Sequence, residues 1–78
     1  MARITKFEVR SPQRMSLHDP VDASISIYEM DGKKLVQLDT YGRSTREFPG
    51  KLSQTIQLDE SSGRQLFELL RTHFGFRT

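Results

Sequence analysis

Cysteine and tryptophan are both absent from this 78-residue chain. Without cysteine there is no disulfide framework and no thiolate metal site to supplement a small core. The two histidines have no patterned carboxylates near them, so nothing argues for a structural zinc site. Long apolar runs are missing too. Clusters such as Leu69-Leu70 are far too short to cross a bilayer, and the opening Met-Ala-Arg lacks the apolar run of a signal peptide. The expectation is a soluble cytoplasmic protein with no membrane partner.

The motifs of catalysis are equally scarce. No glycine-rich phosphate loop, nucleophile elbow or His-Glu-x-x-His pattern occurs. Pro49-Gly50-Lys51-Leu52-Ser53 lacks the earlier glycine and the spacing of a Walker sequence. Acidic residues are scattered, with no pair placed for glycosidic or two-metal chemistry. His18 and Asp19 are neighbours in an irregular stretch, but no third group or pocket goes with them, and Asp19-Pro20 reads as a turn. The chain reads as a binding module rather than an enzyme, with no catalytic residue, cofactor or metal assigned.

What is present makes one domain, residues 1–78, since the chain has no room for a second core. A chain this short buries only about 60% of the surface its unfolded form exposes. With disulfides and metals excluded, oligomerisation is the remaining aid to stability, and a homodimer is expected on physical grounds. Net charge is +2, from 12 basic and 10 acidic residues. That excess is mild, so it is the clustering of cations that matters.

Residues 1–22 read as an N-terminal strand and a loop. From Arg3 to Arg10 the pattern alternates, with Thr5, Phe7 and Val9 opposing Lys6, Glu8 and Arg10. Arg3, Lys6 and Arg10 either face water at a sheet edge or contribute to a basic surface. Prolines and cap-type residues make Ser11–Asp22 a loop, with Met15 and Leu17 as candidates to tuck beneath it. Residues 23–58 read as sheet. Ile25 and Ile27 oppose Ser24, Ser26 and Tyr28, and Asp31-Gly32 signals a type I′ hairpin turn. The returning strand, Lys33–Tyr41, places Val36 and Leu38 inward and Gln37, Asp39 and Tyr41 outward. After a loop over Gly42–Gly50, Lys51–Leu58 forms another strand, one face of it rich in hydroxyl and amide groups. Such a face is either solvated or a polar recognition surface.

Residues 59–75 read as the closing helix. Asp59 is the N-cap, and Gly75 ends the helix just after Arg71 and His73. Leu66, Phe67, Leu70 and Phe74 recur at helical spacing, with Leu69 at the margin of their stripe. Gly63 lies on the same side, where a glycine costs about 1 kcal/mol against alanine. It suggests the close approach of another backbone, either the sheet or a second subunit. The fold class is therefore α+β, a four-stranded antiparallel sheet followed by one C-terminal helix (ββββα). One helix covers one sheet face and leaves the other open.

The basic and aromatic residues gather around the hairpin and the long loop. Lys33 and Lys34 sit at the turn, and Tyr41, Arg43, Arg46, Phe48 and Lys51 lie in or beside the loop. Aromatic faces stack on unpaired bases for about 1–3 kcal/mol each, while lysine and arginine follow phosphates. The plainer alternative is that Phe48 packs in the core, Tyr41 ends a strand and the cations face water.

Residues 25–72 resemble the positive cofactor four transcriptional coactivators, single-stranded DNA binders related in architecture to the Whirly proteins. The resemblance is carried by Gly32-Lys33-Lys34 at a turn and by Leu35-Val36-Gln37-Leu38-Asp39-Thr40-Tyr41 as a strand with an aromatic end. Pro49-Gly50-Lys51 closes the basic loop, and Thr55-Ile56-Gln57-Leu58-Asp59-Glu60 leads into a leucine-bearing helix. It implies a homodimer that binds single strands or melted duplex along its sheet and regulates transcription. By that resemblance Lys33 and Lys34 would contact phosphates and Tyr41 would stack. Arg43, Arg46 and Lys51 would line the channel. The expected function is thus sequence-tolerant binding of single-stranded DNA or RNA. The alternative is a protein-interaction module or small regulatory subunit that binds no nucleic acid.

Overall fold

A computed structural model describes residues 1–41 and 52–77. The elements run β1 (Ala2–Ile4), β2 (Ala23–Met30), β3 (Lys33–Tyr41), β4 (Leu52–Leu58) and α1 (Glu60–Phe74). The strands form one sheet in the order β1-β4-β3-β2. A four-stranded sheet followed by a single C-terminal helix is the α+β arrangement that the alternation and the helical stripe indicate.

The sheet is mixed rather than wholly antiparallel. β2–β3 and β3–β4 are antiparallel, whereas β1 runs parallel to β4 in the register Ala2–Ile56, Arg3–Gln57, Ile4–Leu58. β1 is also far shorter than the alternation over Arg3–Arg10 suggests. Beyond Ile4 the backbone leaves the ladder, and the Phe7 main chain pairs with a helix side chain instead. Its N–H donates to Gln65 Oε1 at 2.9 Å, and its carbonyl accepts from Gln65 Nε2 at 2.8 Å. The chain must then pass from one sheet edge to the other before β2 begins. Met15 and Leu17 do not tuck under this connection; both are exposed.

The local signals in the sequence have clear counterparts. Asp31 and Gly32 both adopt positive φ, 54° and 74°, as a type I′ turn requires, and Met30 pairs with Lys33 across it. Asp59 caps α1 through a reciprocal box. The Ser62 N–H donates to Asp59 Oδ1 at 3.0 Å, and the Asp59 N–H donates to Ser62 Oγ at 3.1 Å. Ser62 is fully buried by this arrangement. At the other end Gly75 takes a left-handed conformation, φ 73°, and the Phe76 N–H reaches back to the Arg71 carbonyl at 3.0 Å.

Apart from a register shift between Thr40 and Tyr41, side chains alternate across the three long strands. One face carries Ile25, Ile27, Val36, Leu38, Ile56 and Leu58; the other carries Ser24, Ser26, Tyr28, Gln37, Asp39, Thr55 and Gln57. The apolar face is incompletely covered. Leu58 is buried on it, but Val36 and Leu38 are only half-buried, and Ile25 and Ile27 remain 63% and 83% exposed. The other buried apolar side chain among the described residues, Leu35, lies on the polar face opposite Tyr28. The helix stripe is open as well, with Phe67, Leu70 and Phe74 all exposed. The radius of gyration, 14.8 Å, exceeds the roughly 11.5 Å of a compact domain of this length.

Two outcomes follow from the turn and the cap. Gly32→Ala forces a Cβ into left-handed backbone and should lower stability by about 1 kcal/mol in denaturant melts. The Asp59 carboxyl is held below its ordinary value of 3.8, chiefly by the hydrogen bond from the Ser62 N–H. The Ser62 hydroxyl and the Arg3 charge add to this, and partial desolvation opposes it. Its contribution to stability is therefore complete above 3.8 and disappears as pH falls through the lower folded value. Asp59→Asn should remove that part of the acid limb when helicity is followed by circular dichroism.

Candidate nucleic-acid interface

The polar sheet face is organised by one carboxylate. Asp39 is buried, and a carboxylate only accepts hydrogen bonds. Thr55 Oγ1 donates to its Oδ1 at 2.7 Å, and Gln37 Nε2 donates to both oxygens at 3.1 Å. With its amide nitrogen committed to Asp39, Gln37 presents Oε1 to the Tyr28 hydroxyl, which donates to it at 2.9 Å. The Tyr28 oxygen in turn accepts from Gln57 Nε2 at 2.7 Å. Each donor in the chain Gln57–Tyr28–Gln37 thus points toward Asp39. The direction set at one end propagates over three strands, and each bond polarises the next.

Register is what makes this network. Gln37 pairs with Ser26 and Gln57, and Asp39 pairs with Ser24 and Thr55. All therefore project from one side. A second link joins the hydroxyls of Ser24 and Tyr41 at 2.8 Å. Two tyrosines, Tyr28 and Tyr41, accordingly have their hydroxyls tethered on this face, and both side chains are partly exposed. Arg3 joins the same face through its pairing with Gln57, and Lys33 joins it at the hairpin turn.

The residues singled out in the sequence are distributed less simply than expected. Lys33 and Lys34 are both exposed, but as strand neighbours they point to opposite faces. Lys34 lies on the apolar face, directly across from Glu29. Tyr41 is at the far end of β3 from Lys33, roughly 26 Å away at the usual strand rise. The turn lysines and Tyr41 therefore form no single cluster. Arg43, Arg46, Phe48 and Lys51 lie outside the described residues. Of the N-terminal cations, Arg10 turns to Glu8 at 3.2 Å, an exposed pair of little energetic weight.

Tyr28 is the member of this face that the basic-aromatic reading passed over, and Arg3 was named there only as one of three cations that either face water or join a basic surface. The signal for Tyr28 was available, since Ser24, Ser26 and Tyr28 alternate with two isoleucines. The place of Arg3 beside Gln57 was not legible, because it depends on the parallel pairing of β1. Among the described residues no group of three or more His, Asp or Glu side chains converges to hold a metal. Among them, too, no helix is long and apolar enough to cross a membrane. No family model matches the chain, and no curated protein or solved structure is significantly similar to it.

The network carries a measurable cost. Tyr28→Phe keeps the ring but strips Gln37 of a donor and Gln57 of an acceptor. It should destabilise the fold by about 1 kcal/mol in chemical denaturation.

Proposed function

We propose that this chain is a small, sequence-tolerant binder of single-stranded nucleic acid that works on the polar face of its sheet. It is a binding protein of the cytoplasm rather than an enzyme. The observation that carries this reading is the polar face itself, with Tyr28 and Tyr41 tethered on it and Arg3 and Lys33 at its margins. Aromatic rings accept any base by stacking, because every base has a π-face, and flanking cations follow the phosphates. Hydrogen bonding holds the tyrosines in place, so little side-chain freedom is lost when a base arrives. Asp39 places a negative group in the same face, but its oxygens are occupied by three donor contacts from Gln37 and Thr55. Arg43, Arg46 and Lys51 extend the cationic set in this proposal, whereas Lys34, on the apolar face across from Glu29, is left out of it.

A labelled oligonucleotide titrated at two salt concentrations tests the reading. Binding should weaken as salt rises, and Arg3→Ala and Lys33→Ala should each reduce the salt slope by about 0.7. Tyr41→Leu should weaken binding by about 1–3 kcal/mol. No binding at low salt, or binding indifferent to salt, would contradict it. A protein-interaction module has one observation of its own: β2 is a long edge strand, paired among the described residues only with β3. One stoichiometric protein partner, retained after nuclease treatment, would favour that second reading.

A further inference from the structure

The two tyrosines of the polar face lie along the sheet rather than standing on it. Tyr28 starts from β2, yet its hydroxyl meets Gln57 Nε2 from β4, two strands away. Neighbouring strands are about 4.8 Å apart, so the ring has to lean across β3 to make that bond. It crosses over Leu35, its partner in the β2–β3 register. That accounts for an apolar side chain only 5% exposed on the polar face. Tyr41 leans the other way, from β3 toward Ser24 on β2. Both tilts are held at the hydroxyl end, so each ring turns one face to the sheet and offers the other.

The spacing of the rings decides what can occupy both. The Tyr28 hydroxyl sits in the row of Gln37 and the Tyr41 hydroxyl in the row of Ser24 and Asp39. Those rows are roughly 7 Å apart along β3. The backbone positions are farther apart, roughly 20 Å, since Tyr28 pairs with Leu35. The rings therefore lie side by side, and their separation exceeds the ~3.4 Å of one stacking step. One base cannot be sandwiched between them, and two stacked neighbours cannot reach both.

We propose that the polar face takes an unpaired, unstacked segment of several nucleotides, an inference that rests on the nucleic-acid reading of this face. One base lies on Tyr28 and another, farther along the strand, lies on Tyr41. Free nucleotides, stacked dinucleotides and duplex cannot use both rings. The charges suit such a ligand. Lys33 on β3 and Arg3 on β1 flank the Tyr28 ring and meet phosphates there. Between the rings Asp39 is buried, and the segment that crosses it meets Gln37 and Thr55, which already donate to the carboxylate.

Titrations of the full chain at low salt with a thymidine octanucleotide, a thymidine dinucleotide and the octanucleotide annealed to its complement test this. With the octanucleotide, Tyr28→Leu and Tyr41→Leu should each weaken binding about tenfold, and the double variant about a hundredfold. With the dinucleotide, which uses either ring, each single variant should cost no more than about twofold. The duplex should bind at least about tenfold more weakly than the octanucleotide. Wild-type spectra make the test independent of how the variants fold. Ring protons of both tyrosines should shift upfield together as the octanucleotide is added. Octanucleotide binding that moves only one ring would overturn the inference while leaving the polar face as the surface used. A dinucleotide or duplex that binds as tightly as the octanucleotide would do the same. No binding of any of the three would remove the nucleic-acid reading and this inference together.

Discussion

One fifteen-residue helix cannot cover both faces of a four-stranded sheet, and here it does not cover even one. Everything distinctive about the fold follows from that shortage. The apolar face keeps exposed isoleucines, and the helix keeps exposed aromatics. The polar face must satisfy its own groups without a covering layer. It does so through side-chain hydrogen bonds that cross from strand to strand, and no buried side-chain polar atom among the described residues lacks a partner.

The two faces therefore solve different problems. On the polar side, Asp39 accepts from two strands and so fixes the amide orientation of Gln37, then the hydroxyl of Tyr28, then Gln57. A polar surface with two tethered tyrosine rings results. On the apolar side, none of the described residues completes the burial that the residue pattern begins. In this account the polar face is the one available for a strand of nucleic acid.

Much of this was legible in the sequence where the determinants are local. Asp31-Gly32 fixes a turn because few residue pairs accept two positive φ angles. Asp59 and Gly75 mark the helix because its end groups need partners within a turn. Non-local pairing was harder to read. The alternation from Arg3 to Arg10 looks like a strand throughout, but only Ala2–Ile4 finds a ladder, since Gln65 takes the Phe7 main chain instead. The same limit hid the Arg3 position and the network centred on Asp39, both of which depend on register.

The central claim is that the polar face, and not the apolar one, meets nucleic acid. Backbone amide shifts followed through a titration with a short single-stranded oligonucleotide test it most directly. The account predicts perturbations at Arg3, Tyr28, Lys33, Tyr41 and Gln57, with Ile25, Ile27 and the Phe67–Phe74 row unchanged. Perturbations centred on the helix row, or none at saturating oligonucleotide, would contradict it.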